Sequence, residues 1–244
     1  MSAYPDPDTW QHARPRQAER ASRSFDVLRL RAVPVYSGPL FVADDNEVRL
    51  QPASEVARRV LVLWAVELRA EGAPQAVAIE LIESLDLWDS VSPSERAFLQ
   101  SENPDPDECR SLVWRLESIW ALMWALGEID ELGWPGGMCD VPKLAALMIA
   151  RENDPAFISS ARLRQKSEIL DAQDLTMRIH WAIRDAYLNQ GAMIPEDLDW
   201  SGQSEYISTM LSAAVGVVEQ RHYALNWLVN FLAPKDWDHV DTPT

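Results

Sequence analysis

The residues best placed for chemistry lie in EQRHYALNWL (219–228). Read as a helix, this region carries an apolar stripe of Leu211, Val215, Val218, Leu225 and Val229, and His222 falls in its middle. Glu219, three residues before, and Asn226, four after, flank the imidazole. A carboxylate, an imidazole and an amide on a core-facing surface must find partners, because an unpaired buried polar group costs about 1–3 kcal/mol. Such a trio can build a catalytic or ligand-binding pocket, or it can be a buried cluster satisfied from within. Glu219 with His222 is also the ExxH spacing that di-iron bundles use twice. The chain has no second matching ExxH, so neither a metal nor another cofactor is expected.

A second polar set lies on the helix read across 161–189. Asp171, Asp174, Arg178, Trp181 and Asp185 share one face, opposite Ile169, Ala172, Thr176, Ile179, Ile183 and Tyr187. Asp174 and Arg178 are four apart and can pair, and Arg178 and Arg184 each lie three residues from Trp181, within cation–π reach. The face reads as a solvated surface or as the acidic rim of a groove. Asp171, Asp174, Trp181 and Asp185 are therefore the candidate interaction face. His180 stands at the edge of the apolar side. With Arg178, Glu117 and Arg221 it joins Glu219, His222 and Asn226 as the candidate polar pocket.

Other arrangements carry less. Glu117 and Glu128 project alike but lie about 16 Å apart by the helical rise, beyond the roughly 10 Å over which a carboxylate pair does acid–base work; each can instead take an arginine from another helix. Cys139 beside Asp140, after a Gly-rich turn, has no base indicated near it and reads as a small buried hydrophobe. There is no HExxH, GxSxG, GxGxxG, Walker loop or zinc spacing.

The elements that must position these groups are helical. LVWRLESIWALMWALGEIDELGW (112–134) puts Leu112, Leu116, Ile119, Met123 and Leu126 in one stripe, widened by Val113, Trp120 and Trp124 and backed by Ala121 and Ala125. A helix apolar nearly all round belongs in the middle of a protein. Around it, helices are expected over 16–30, 55–70 with Ser54 as cap, 74–87, 93–100 behind the capping box Ser92-Pro93-Ser94-Glu95, 143–151, 161–189 closed by Gly191, and 205–232. Val33 to Leu50, with Pro34, Pro39, Phe41 and Asp44-Asp45-Asn46, breaks helical rhythm and reads as an extended or hairpin arm. Residues 1–15 read as a loose segment and 16–244 as one all-α domain, a compact array of roughly eight or nine helices around the Trp-rich one. Trp237 in the acidic tail can anchor it to the body.

Composition narrows the function. The net charge of -16 over 244 residues argues against a nucleic-acid surface, which rests on Lys and Arg. No stretch reads as a signal peptide or is long and apolar enough to span a bilayer. Two cysteines, Cys109 and Cys139, do not make a disulfide framework. The expectation is a cytoplasmic protein with a protein partner and neither membrane nor nucleic acid.

Several phrases together resemble a known family. They are EVARRVLVLWAV (55–66), SPSERAFL (92–99), WRLESIWALMWALGEIDELGWPGGMCDV (114–141), LRQKSEILDAQDLTMRIHWAIRDA (163–186), EQRHYALNWL (219–228) and DWDHVDTPT (236–244). They are similar to the DUF4272 family, an uncharacterised group widespread in bacteria, from about Arg20 onward. The close Asp241-Thr242-Pro243-Thr244 departs slightly from the family's acidic-Thr ending. The resemblance implies a compact helical protein and brings no activity, cofactor or site residue.

The leading expectation is a non-catalytic helical protein that binds another macromolecule, in the manner of an acidic, immunity-like neutraliser of a basic partner. The alternative is an enzyme or small-ligand binder using the pocket around His222, Glu219 and Asn226.

Overall fold

The computed structural model describes residues 4–10, 13–40, 42–189, 193–202, 207–208 and 213–244. It is mostly helical. In chain order come α1 (Pro15–Leu30), α2 (Ala53–Ala70), α3 (Gln75–Ser84), α4 (Pro93–Gln100), α5 (Pro106–Leu112), α6 (Arg115–Ala125), α7 (Val141–Glu152), α8 (Phe157–Ser160), α9 (Lys166–Leu188) and α10 (Ala213–Leu228). A two-residue antiparallel ladder joins β1 (Ile194–Pro195) to β2 (Ile207–Ser208). The last helix was expected from Glu205; Ile207 and Ser208 are strand instead. Glu205, Leu211, Gly191 and Phe41 lie outside the described residues.

Local chemistry starts the helices. At α4 the Ser92 hydroxyl accepts from Glu95 N, the Glu95 carboxylate accepts from Ser92 N at 2.9 Å, and Pro93 takes the first turn, where it costs no hydrogen bond. Asp105 caps α5 and Asp140 caps α7. The Ser54 cap is not used, because α2 already begins at Ala53 behind Pro52.

The Trp-rich rod is shorter than its apolar pattern suggests. The chain turns through Val113 and Trp114 between α5 and α6, and Gly127 at φ +78° follows the end of α6. Arg164 adds to the carbonyls there: its Nε donates to Trp124 O at 2.6 Å, which also accepts from Gly127 N, and its Nη2 donates to Ile129 O at 2.8 Å. The burial holds. Every residue from Leu116 to Ala125 is buried, with Trp120 at 7% and Trp124 at 8% exposure. A second helix shares the centre: α2 is buried on all sides from Val60 to Val66. Arg59 of α2 is buried too, because Glu95 of α4 meets it at 2.8 Å.

Two apolar clusters result. The larger surrounds α2 and α6 and takes in the tail, where Trp237 packs edge-on to Tyr223 and Trp227, with ring centres 5.0 and 5.5 Å away. The Asp238 carboxylate accepts from Ser92 Oγ, Ser94 N and Ser94 Oγ at the start of α4. The smaller cluster joins α1, α9 and the start of α10 through Phe25, Leu28, Ile179, Ile183, Val215 and Val218. Tyr4 and Trp10 stand edge-on to Phe25, so residues 4–10 pack rather than hang loose. Among the described residues, 33–50 forms no ladder. Its carbonyls go to long side chains instead, Val42 O to Gln17 Nε2 and Val48 O to Lys166 Nζ, and the segment lies extended with a turn at 45–47. Among the described residues no helix is long and apolar enough to cross a membrane.

The loop between α6 and α7 rests on the segment after β1. Trp134 Nε1 donates to Asp197 O at 2.8 Å, and a Cβ on Gly136 would lie 2.6 Å from that oxygen. Gly136→Ala should therefore lower the urea unfolding free energy by about 1–3 kcal/mol through overpacking. Gly137→Ala, where a Cβ meets nothing within 4 Å, should stay within about 0.5 kcal/mol. Equal midpoints for the two variants would refute the close approach.

Candidate functional site

The seven residues proposed for one polar pocket fall into separate arrangements. Glu117 of α6 is fully buried, and Arg221 of α10 is nearly so. Arg221 Nε donates to Glu117 Oε2 at 3.0 Å, Arg221 Nη1 donates to Leu132 O and Gly133 O at 3.0 Å, and Cys139 N donates to Glu117 Oε1 at 2.6 Å. One ion pair thus clasps α6, α10 and the loop between α6 and α7. Glu128 likewise takes Arg151 of α7, at 2.6 Å. The Cys139 thiol is held protonated, raised by burial and by the neighbouring Glu117, so it is no nucleophile.

His222 is buried, and its Nδ1 lies 2.8 Å from Nδ1 of His180, with the rings at 88°. One imidazole must donate while the other accepts, so the acceptor is neutral, and if the donor is neutral too their tautomers differ. Asn226 is buried as well: its Nδ2 donates to Asp241 O at 2.8 Å, and its Oδ1 accepts from Gln173 Nε2 at 2.9 Å. Glu219 faces solvent and takes no part. His222 and Asn226 are thus buried polar groups bonded to α9 and to the tail, and Glu219, on the exposed side, does not join them.

The acidic rim is covered at one end. Asp171 pairs with Arg20 and Arg23 of α1. Asp174 is fully buried, accepts from Ser24 Oγ at 2.6 Å, and pairs with Arg178 at 2.8 Å, the four-residue pairing that the spacing suggested. Arg178 lies over Phe25 and Trp10 rather than Trp181; Trp181 packs on Tyr36, and Asp185 lines a hollow beside it with Tyr4 and Val33. α1 thus covers the Asp171 and Asp174 end of this face, while Trp181 and Asp185 stay half-buried along the hollow.

What stays open is a slot that sequence reasoning missed. On α1, Val27 and Arg31 lie one turn apart; on α9, Ala172, Leu175, Thr176 and Ile179 repeat at helical spacing; the loop 132–135 roofs them, and Arg221 forms part of the wall. The cavity measures about 310 Å³. The Arg31 guanidinium lies 4.2 Å above the Trp134 ring; among the described residues no carboxylate is at ion-pair distance from it, though Asp199, held low first by its hydrogen bonds from Ser201, also feels its charge. The available signal was Trp134 in its Gly-rich turn, a large aromatic where a turn needs none. Among the described residues no three His, Cys, Asp or Glu side chains are gathered to hold a metal.

A family model described as a domain of unknown function (DUF4272) matches residues 20–240. No curated protein and no solved structure matches the chain.

The buried groups generate two tests. Removing one member of the Glu117–Arg221 pair leaves the other charge unmatched, so Arg221→Met should cost about 3–5 kcal/mol in chemical denaturation. Adding Glu117→Leu should recover part of that loss; a double variant as weak as the sum of the singles would sink the pairing.

The second test is of pH. Burial pushes both imidazoles below the ordinary histidine range, His180 to about 4, helped by Arg184, and His222 to about 3, helped by His180. The unfolded chain takes up protons near pH 6.5 while the folded pair does not. The stability tied to the pair is thus complete above pH 6.5 and is lost as the pH falls toward 4. Glu67 acts oppositely: burial, then the Glu71 charge, raises it to about 7, so the folded state holds its proton longer and gains as the pH falls. Comparison with a His180→Leu/His222→Phe variant isolates the pair. Urea midpoints of the wild type should fall relative to the variant between pH 6.5 and 4; parallel curves would rule out a neutral buried pair.

Proposed function

The chain therefore belongs to the DUF4272 family, and from that premise we propose that it is a small-molecule-binding protein whose slot between α1, α9 and the 132–135 loop holds an anion with a flat apolar body. The observation that carries this reading is Arg31, a guanidinium stacked on Trp134 at the slot, which feels the Asp199 carboxylate but makes no ion pair with it. A guanidinium presents a planar fork that matches a carboxylate or phosphate. Val27, Leu175 and Ile179 offer apolar walls for the rest of the ligand. A mostly apolar cavity of this size with a few convergent polar groups is the usual form of a small-molecule site. The polar groups among the lining side chains are one hydroxyl, one indole N–H and two guanidiniums; they suit binding and orienting an anion and include no general base.

Where the charge lies favours a second reading. The buried arginines Arg20, Arg59, Arg178 and Arg221 each meet a carboxylate, so the net charge of -16 is carried outside. That suits a basic protein partner, as for an acidic neutraliser. Such a partner would have to sit away from Asp171 and Asp174, which α1 covers. Both readings take the protein to work in the cytoplasm, which its free Cys109 and Cys139 suit.

Calorimetric titration separates the readings. 2-Naphthoate should bind, 2-naphthalenemethanol should bind at least tenfold more weakly, and Arg31→Ala should remove that preference, a change of about 1.4 kcal/mol. Equal binding of acid and alcohol, or an unchanged preference in the variant, would reject the anion slot. A basic protein recovered at one-to-one stoichiometry at low salt and released by high salt would support the partner instead.

A further inference from the structure

The second guanidinium in the wall of the slot is that of Arg221, 3% exposed on α10. An arginine has five N–H donors. Three of those on Arg221 are used: Nε donates to Glu117 Oε2, and Nη1 to Leu132 O and Gly133 O, each at 3.0 Å. Nη2 meets no acceptor among the described residues. The nitrogens sealed there without a partner are Arg20 Nη1, Arg69 Nε and Trp237 Nε1; Arg221 Nη2 is not one of them, and the open space that Arg221 borders is the slot. The two guanidiniums of the slot differ in charge. That of Arg221 is cancelled by Glu117, which is fully buried. That of Arg31 is open apart from the pull of Asp199, which does not line the slot. Among the described residues no lysine, histidine or carboxylate lines it. Its other polar side chains are engaged, Thr176 Oγ1 donating to Ala172 O and Trp134 Nε1 to Asp197 O. The rest of the wall is apolar.

We propose that the ligand of this slot is a monocarboxylate whose apolar body carries a second, uncharged oxygen acceptor: the carboxylate takes Arg31, and the neutral carbonyl takes Arg221 Nη2. The inference rests on the Arg31 reading and adds to it a second contact and a charge count. A purely apolar body would cut Nη2 off from water and leave it without an acceptor, which is costly. A second carboxylate would meet an ion pair that is already neutral, with no open cation to offset its desolvation. A carbonyl supplies the acceptor without the charge.

The experiment is a calorimetric titration of the full chain with 2-naphthoate, its 5-, 6- and 7-acetyl derivatives, and the isopropenyl counterpart of each. Isopropenyl keeps the outline of acetyl and removes the acceptor. At least one acetyl derivative should bind at least tenfold more tightly than its counterpart, the size of a hydrogen bond to a charged group. 2,6-Naphthalenedicarboxylate should bind at least tenfold more weakly than 2-naphthoate. The guanidinium N–H resonances of Arg221 should shift with that acetyl derivative and not with its counterpart. In Glu117→Leu/Arg221→Met the acetyl gain should vanish while the preference for 2-naphthoate over 2-naphthalenemethanol persists. Should that variant fail to fold, the Arg221 resonances carry the test in the native chain. No acetyl derivative gaining over its counterpart, a gain that leaves those resonances unmoved, or a dicarboxylate as tight as 2-naphthoate would overturn the inference. Loss of the acid-over-alcohol preference sinks the Arg31 reading and this inference with it; that preference kept without an acetyl gain sinks the inference alone.

Discussion

A charge taken out of water must be met by its opposite, and this body is arranged around four places where that happens. Arg20 meets Asp45 and Asp171, Arg59 meets Glu95, Arg178 meets Asp174, and Arg221 meets Glu117. Ion pairs of this kind add little net stability over apolar packing, but a partner missing or displaced is heavily penalised. They therefore fix which surfaces meet. Glu117 can be buried in the middle of α6 only if α10 approaches in the register that brings Arg221 to it.

That register reaches the open slot. Arg221 holds the carbonyls of Leu132 and Gly133 as well as Glu117, so the same guanidinium that satisfies the core pins the start of the loop. Trp134 follows immediately, fastened to Asp197 O, and its ring lies under Arg31. Trp200 N donates to Arg31 O at 2.8 Å and steadies the end of α1 from the other side. Along the α9 side of the slot, Ala172 and Leu175 stay half-buried, while Thr176 and Ile179 are buried.

What could be read from the sequence was what is local. The Ser92 capping box, the Asp174–Arg178 pair, the burial of Trp120 and Trp124 and the anchoring role of Trp237 all follow from spacing or residue type. Spacing also allowed that Glu117 and Glu128 would each take an arginine. It does not say which face a distant segment covers. Asp171, Asp174 and Asp185 share a side of α9, but only the packing of α1 shows that Arg20, Arg23 and Ser24 close over two of them. Glu219 failed for a geometric reason: three residues along a helix leave it about 60° from His222, far enough to reach solvent while His222 stays inside. The partner of His222 came from another helix, 42 residues away in sequence. Arg31 and Gln173 drew no attention because a single polar residue at a helix end or beside an Asp has no pattern of its own.

The hold of Asp238 on the start of α4 bears on kinetics. Ser92 and Glu95 cap that helix locally, while the carboxylate that completes the cap arrives 146 residues later. Closing so long a loop carries an entropic cost before any contact repays it, and chains rich in such closures fold slowly. The first half of the polypeptide must therefore wait, with the seat of Trp237 between α2 and α10 still open, until the segment carrying Trp237 and Asp238 folds back and shuts it.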